Sequence, residues 1–125
     1  PFSSFRDAAS FYGVWLHECG HACGSKHRLD RDLSGRFESA AYAAEELVAE
    51  LSSAMLGAEL GLPVTHLDSH ASYIEHWLKL LKDDERAILT AAAKAEEASS
   101  LLLRLGGRVT PDQFDDASDD AALAA

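Results

Sequence analysis

The chain has 125 residues and a formal net charge of −10, and its composition is 47% hydrophobic and 26% charged. These values are ordinary for one soluble globular domain, and no apolar run approaches the length that crosses a bilayer. The acidic balance disfavours direct binding to nucleic acid, because phosphates attract basic surfaces. Two cysteines are too few for a disulfide scaffold, so we expect a reducing, cytoplasmic environment.

The acidic residues concentrate toward the end of the printed sequence. After Arg108 there is no lysine or arginine, whereas five aspartates occur there and supply half of the net charge. Tails rich in alanine and aspartate stay solvated because they bury too little apolar surface to offset chain entropy. We therefore predict a globular domain over residues 1–108 and a disordered acidic tail over residues 109–125.

Hydrophobic spacing predicts four helices and no convincing strand. They cover residues 5–23, about 39–60, 69–82, and from 83 or 84 to about 105. Ser3 or Ser4 is the expected cap of the first helix. The apolar stripe expected on that helix consists of Phe11, Val14, Trp15 and Cys19. The predicted fold class is mainly α, with any sheet small or truncated.

The first helix contains the pattern H-E-x-x-H, formed by His17, Glu18 and His21. Two histidines four residues apart lie on one face of a helix, so both imidazoles can reach a single metal ion. Glu18 is about 100° round the helix from His17, which suits a general base acting on a water that the metal activates. The pattern predicts a zinc site, or one for another divalent metal, rather than a structural histidine pair.

A third protein ligand is expected from the second helix, which carries three glutamates within six residues. We favour Glu46 as the ligand and Glu50 as the residue that holds the far nitrogen of a histidine, because i and i+4 share a face. Glu45 is the weaker candidate for the ligand, and Glu50 is a further alternative. Without the preceding histidine pattern, such glutamates would be read as a solvated helix face.

The remaining candidates have weaker signals. Cys19 and Cys23 are each two residues beyond a histidine, so their thiols point away from the metal and are expected to pack as small apolar groups. His70 and Tyr73 are three residues apart at the start of the third helix and could stabilise an oxyanion in the cleft. On spacing alone, helix capping and packing is the simpler role for that pair.

Several segments together resemble the C-terminal domain of ArdC-type antirestriction proteins, which are zincin-like metallopeptidase domains of polyvalent proteins from mobile elements. They read PFSSFRDAASFYGVWLHECGHACG, RLDRDLSGRF, AYAAEELVAELSSAMLGAELG and HASYIEHWLKLLKDDERAILTAAAKAEEAS. The resemblance covers about residues 1–103. It implies a divalent metal held by His17, His21 and Glu46, with Glu18 as the catalytic base. It also favours His70 and Tyr73 as residues that line the site.

The resemblance implies a role in protecting incoming mobile DNA from host restriction, with a peptide or protein as substrate and host restriction proteins as candidate partners. Family members carry a separate DNA-binding domain, so we do not extend DNA binding to this chain. Two hypotheses follow. The first is a zinc-dependent peptidase. The second is a non-catalytic interaction module that the metal stabilises. The presence of Glu18 favours the peptidase, because a purely structural site does not need that residue.

Overall fold

The computed structural model describes residues 1–37, 39–63 and 71–108, and of residues 71–74 it describes the backbone alone. Within these ranges the chain forms helices and no strand, which confirms the predicted mainly α class. A 3-10 turn at Phe2–Ser4 precedes four helices, α1 (Ala8–Cys23), α2 (Ala40–Leu60), α3 (Ala71–Asp83) and α4 (Ala87–Leu105). The predicted acidic tail over residues 109–125 lies outside the described residues.

Local capping explains where the first two helices begin and end. Asp7, rather than Ser3 or Ser4, caps α1, and its Oδ1 accepts a hydrogen bond from the backbone N–H of Ser10 at 2.8 Å. The two serines lie in the preceding 3-10 turn instead. Ser39 caps α2 through Tyr42 N–H at 3.1 Å, and α2 ends at Gly61, whose φ of 71° few other residues adopt.

Helix α4 starts later than the sequence predicts, at Ala87 rather than at residue 83 or 84. The Oδ1 of Asp84 accepts the N–H of Arg86 at 2.9 Å, and this local hydrogen bond holds the connection as a turn. None of the helices in the described part of the chain combines the length and apolarity that crossing a membrane requires.

Helix α2 lies at the centre of the fold and contacts each of the other three helices. Its buried Leu47 and Val48 pack against Ala91 and Ala95 of α4, and the partly buried residues Leu51, Met55 and Trp77 close this cluster. Large side chains of α2 therefore meet alanines of α4, whose small size lets the two helices approach each other at this cluster. This packing leaves a different face of α2 for α1.

Small residues mediate the contact between α1 and α2. A Cβ atom added to Gly20 would lie 2.4 Å from Ser52 Oγ and 3.3 Å from Ala49 Cα. Ser53 Oγ donates to the carbonyl of Gly13 at 2.9 Å. The two backbones therefore approach closely along the face of α1 that carries Gly13, Gly20 and the two histidines.

Of the apolar stripe predicted for α1, Phe11 and Cys19 are half-buried, whereas Val14 is 42% exposed and Trp15 is 57% exposed. The buried residues of α1 are Gly13, Gly20 and Cys23. Helical periodicity locates an apolar face but does not show which face a partner helix covers. In α1 the buried positions are small because the backbones of α1 and α2 lie close together there.

We predict that Gly20→Ala destabilises the metal-free protein by about 1–3 kcal/mol, because the new methyl group overlaps the buried Ser52 and forces α1 away from α2. Gly57→Ala is the matched control within α2. The nearest atom to its added Cβ is Leu62 Cβ at 3.9 Å, so the higher helix propensity of alanine should stabilise by about 0.5–1 kcal/mol. Urea unfolding in the presence of a chelator measures both. A Gly20→Ala protein as stable as the wild type would contradict the close-packing account.

Candidate metal centre

Helix α1 directs both of its motif histidines toward α2. The Nε2 atoms of His17 and His21 lie 3.1 Å apart, and the two rings meet edge to face with centroids 4.8 Å apart. The side chains are 14% and 24% exposed, respectively, so both imidazoles are largely buried. One helical turn therefore brings two nitrogen lone pairs to a single point beside α2, as the spacing predicted.

Glu46 of α2 meets these two nitrogens. Its Oε2 lies 3.2 Å from His17 Nε2 and its Oε1 lies 3.0 Å from His21 Nε2, and the side chain is only 8% exposed. The ligand atoms of these three residues all lie within 4.8 Å of one another, and among the described residues they form the group suited to a metal ion.

The donor set and its dimensions fit a divalent metal. Ligand atoms at about 2.0–2.1 Å from a tetrahedral ion lie about 3.3 Å from each other. The two Nε2 atoms are 3.1 Å apart and each lies 3.0–3.2 Å from a different oxygen of Glu46, and these distances are close to that edge length. Two imidazole nitrogens with one carboxylate oxygen are also a common donor set of zinc sites that keep a position open for water.

Each histidine is held at its other nitrogen by a separate glutamate. Nδ1 of His17 lies 2.5 Å from Glu50 Oε1, and Nδ1 of His21 lies 3.2 Å from Glu45 Oε1. Glu50 therefore has the position expected for a residue that orients a histidine. Glu45 contacts the far side of His21 instead of the point where the Nε2 atoms converge, which favours Glu46 as the third ligand.

Arg31 is the residue that the sequence reasoning missed. Its Nη2 donates to Glu45 Oε1 at 2.7 Å and to the Gly20 carbonyl at 2.7 Å, and its Nε donates to Glu45 Oε2 at 3.1 Å. The side chain is 4% exposed, so this arginine is buried although it lies in a loop. The only sequence signal was charge balance, since three clustered glutamates near one site call for a cation.

The histidines and glutamates of the site shift one another's pKa values. Burial alone would lower the pKa of His17, but hydrogen bonds with Glu46 and Glu50 outweigh it and raise that pKa to about 9. Hydrogen bonds with Glu45 and Glu46 likewise raise the pKa of His21 to about 9. Burial would raise the pKa of Glu46, yet hydrogen bonds from the two histidines lower it to about 2. In the metal-free site the glutamates therefore favour protonation of the imidazoles, and the imidazoles favour an ionised Glu46.

Glu18 is exposed and lines an open cleft of about 340 Å³ next to the histidines. His21 and Glu46 form one side of this cleft. The other residues lining it belong to the loop after α1 and to α2, and they are Asp32, Leu33, Gly35, Ala41, Tyr42 and Glu45. A carboxylate on the rim of a cleft beside a metal-ligand group can exchange a proton with a molecule bound there.

The other predicted residues have separate outcomes. Cys23 is buried, with its thiol 3.9 Å from the Ala98 carbonyl of α4, and Cys19 is half-buried. Burial raises the pKa of both thiols, in keeping with apolar packing rather than metal ligation. His70 and the side chain of Tyr73 lie outside the described residues, so their role in the cleft stays a prediction.

Comparison with known proteins identifies the family. A family model described as a zincin-like metallopeptidase matches residues 1–94, and the chain therefore belongs to this family. The protein y4eC of Sinorhizobium fredii is 62% identical over 96 residues, which are 77% of this chain and 31% of y4eC. The DNA primase TraC of Escherichia coli is 44% identical over 99 residues, covering 79% of this chain and 9% of TraC.

Solved structures of the antirestriction protein ArdC from the R388 plasmid share the fold. The Mn(II)-bound form has a TM-score of 0.71 and 43% identity, and it covers 83% of this chain and 38% of ArdC. The metal-free form has a TM-score of 0.73 and 41% identity, with 88% of this chain and 39% of ArdC covered. The resemblance to ArdC-type proteins is confirmed, and the chain spans less than two fifths of each of these relatives.

We predict that the affinity for Zn²⁺ rises with pH. Metal binding requires neutral imidazoles, so protons compete with the ion wherever the pH lies below the raised pKa of about 9. Each proton displaced contributes up to about tenfold in apparent affinity per pH unit. Titration against a chelating dye between pH 6 and 8 measures the slope. A Zn²⁺ affinity that is independent of pH would contradict protonation of the imidazoles.

Stability of the metal-free protein should change with pH in the opposite sense. A folded-state imidazole pKa above the ordinary 6.5 stabilises fully below pH 6.5, and this contribution is lost as the pH rises toward 9. The depressed pKa of Glu46 stabilises above pH 4.5 and is lost as the pH falls through about 2. We therefore expect the Tm of chelator-treated protein to fall between pH 6.5 and 9. His17→Gln should flatten this decline, and a Tm that rises over that range would exclude the assignment.

Proposed function

We propose that this chain is a metal-dependent peptidase domain of the ArdC antirestriction type, in which His17, His21 and Glu46 bind one divalent ion. The observation that carries the proposal is the convergence of two Nε2 atoms and one buried carboxylate within 3.0–3.2 Å of each other. The existence of a Mn(II)-bound structure of ArdC, which is 43% identical, supports binding of a divalent ion. We take Zn²⁺ as the expected ion and Mn²⁺ as its competitor, because the donor set accepts either.

The residues around the ligand group have complementary roles in peptide hydrolysis. A divalent ion bound there would polarise the peptide carbonyl and acidify a water molecule. Glu18, on the rim of the cleft, accepts the proton of the attacking water and passes it to the departing amine nitrogen. Glu50 and Glu45 lie at the Nδ1 atoms of the two histidines, so that each Nε2 atom is directed at Glu46. His70 and Tyr73 complete the proposal as groups that steady the oxyanion.

The proposed biological context follows from the relatives. ArdC is an antirestriction protein, and we propose that this domain likewise acts in the cytoplasm in the defence of mobile DNA, with a peptide or a host restriction protein as its target. We take residues 1–108 as the functional domain and residues 109–125 as an acidic tail. The activities of the longer relatives as whole proteins belong to chains of which this one spans a minor part.

The second candidate function is a metal-stabilised interaction module without catalysis. Large apolar side chains on the outer face of α1 favour it, since Tyr12 is 43% exposed and Trp15 is 57% exposed. A structural ion would join α1 to α2 through the same three ligands. The two functions differ in what they require of Glu18, which contributes to turnover and adds nothing to a structural site.

We predict that Glu18→Gln retains stoichiometric zinc but lowers peptide cleavage by at least about 100-fold, because the amide cannot accept a proton. His17→Ala should lose both zinc and cleavage. Glu59→Gln is the matched control, an exposed glutamate on α2 about 20 Å along the helix axis from Glu46.

Mass spectrometry measures the zinc content of each variant. Cleavage of a library of peptides derived from denatured proteins measures the peptidase activity. Full zinc occupancy with no cleavage by the wild type would favour the interaction module. A wild type that binds no divalent ion would overturn both candidate functions.

A further inference from the structure

We propose that Arg31 is a positioning residue for the metal centre, which acts through Glu45 on His21 and in the same contact fixes one wall of the cleft. The inference rests on the proposed metal site and adds to it a residue outside the ligand set. Arg31 lies in the loop between α1 and α2, ten residues after His21. Its role follows from the three hydrogen bonds that its side chain donates.

The guanidinium of Arg31 holds the Glu45 carboxylate at both oxygens, through Nη2 to Oε1 at 2.7 Å and Nε to Oε2 at 3.1 Å. A two-point contact fixes the plane of a carboxylate, which a single hydrogen bond does not. The same Oε1 lies 3.2 Å from His21 Nδ1. Because the carboxylate plane is fixed, the His21 ring cannot rotate freely, and its Nε2 stays directed at Glu46.

Arg31 also satisfies the C-terminal end of α1. The last carbonyls of a helix lack partners within the helix, and Arg31 Nη2 donates to the carbonyl of Gly20 at 2.7 Å. Its own backbone N–H donates to the carbonyl of Gly24 at 2.9 Å. Arg31 is therefore bound to Gly20 of α1, to Gly24 directly after that helix and to α2 through Glu45, and its side chain is 4% exposed.

The residues directly after Arg31 form part of the cleft. Asp32, Leu33 and Gly35 line it together with Glu18 and His21. Since Arg31 fixes the start of this segment, the contact that orients His21 also sets the position of the cleft wall. Removal of the guanidinium would weaken metal binding and alter the width of the cleft at the same time.

Arg28 provides a matched control in the same loop. Its Nη1 donates to the carbonyl of Ala22 at 3.0 Å and lies 3.4 Å from Ser25 Oγ, so it too helps to cap α1. Unlike Arg31, Arg28 is exposed, and its hydrogen bonds do not involve Glu45. Arg28→Met removes an arginine that caps α1 but leaves the contact between Arg31 and Glu45 in place. It therefore measures the effect of losing the cap alone.

The test compares the Zn²⁺ dissociation constants of the wild type, Arg31→Met, Arg28→Met, Glu45→Gln and the Arg31→Met/Glu45→Gln double variant, by competition with a chelating dye. Loss of a residue that orients a metal-binding histidine weakens binding by about 10–100-fold, and we expect this for Arg31→Met and for Glu45→Gln. Arg28→Met should stay within about twofold of the wild type. Because Arg31 acts through Glu45, the double variant should bind no more weakly than Glu45→Gln alone.

A spectroscopic readout separates positioning from simple structural support. In the zinc-loaded wild type and in Arg28→Met, NMR should show a protected Nδ1–H proton of His21, and Arg31→Met should lose it to solvent exchange. Arg31→Lys keeps the positive charge but cannot make the two-point contact with the Glu45 carboxylate. Its affinity for zinc should therefore lie between those of Arg31→Met and the wild type. If Arg31→Met does not fold, Arg31→Lys and Glu45→Gln carry the same comparison.

The possible negative results distinguish failure of the positioning role, of the proposed catalysis and of the metal site. Unchanged zinc affinity in Arg31→Met, or losses in the two single variants that add in full, would overturn the positioning role while the metal site stands. A wild type that binds zinc and cleaves no peptide would overturn the proposed catalysis and leave the role of Arg31 intact. A wild type that binds no zinc would remove the metal site, and the inference with it.

Discussion

The carboxylate of Glu46, buried between two imidazoles, is the constraint on which the rest of the structure depends. A buried charge is strongly unfavourable unless opposite charges and hydrogen bonds compensate it. His17 and His21 provide that compensation only if α1 and α2 lie very close together. Gly20, packed against Ser52, permits this approach because it has no side chain. The requirement for small residues at the helix contact therefore follows from the requirement to pair one carboxylate.

The residues around the ligand group hold the two histidines and balance the charges of the site. Both imidazoles need an acceptor at Nδ1, and α2 supplies Glu45 and Glu50, which flank Glu46 along the helix. Three carboxylates so close together would repel one another, and the two imidazoles and Arg31 balance them. Arg31 comes from a loop, so the charge balance of the metal centre depends on a segment outside the helices. That segment continues into the cleft wall, which links the electrostatics of the site to the shape of the space beside it.

The relatives contain a segment similar to this chain in proteins of different length. The match covers 31% of y4eC, 38% of ArdC and 9% of TraC, so it is a minor part of each of these relatives. A shared fold does not establish a shared activity, and function has to be argued from the site itself. The site has two separable parts, a ligand group that any stabilising metal could use and an exposed glutamate on the cleft rim that only proton transfer requires. The choice between peptidase and interaction module depends on the second part.

The sequence by itself determined the four helices, the mainly α class and the shared face of His17 and His21, because helical periodicity places i and i+4 residues on one face regardless of context; it also favoured Glu46 as their partner, although that contact exists only because α1 and α2 pack together. It also led to Glu50, by the same spacing. Only the tertiary structure decided which face of α1 is covered, since Val14 and Trp15 stay exposed although they follow the apolar period of the helix. Only the tertiary structure brought Arg31 to Glu45, because a loop has no period from which the direction of a side chain can be read. Local spacing is set by covalent geometry, whereas contacts between a loop and a helix depend on how the whole chain packs.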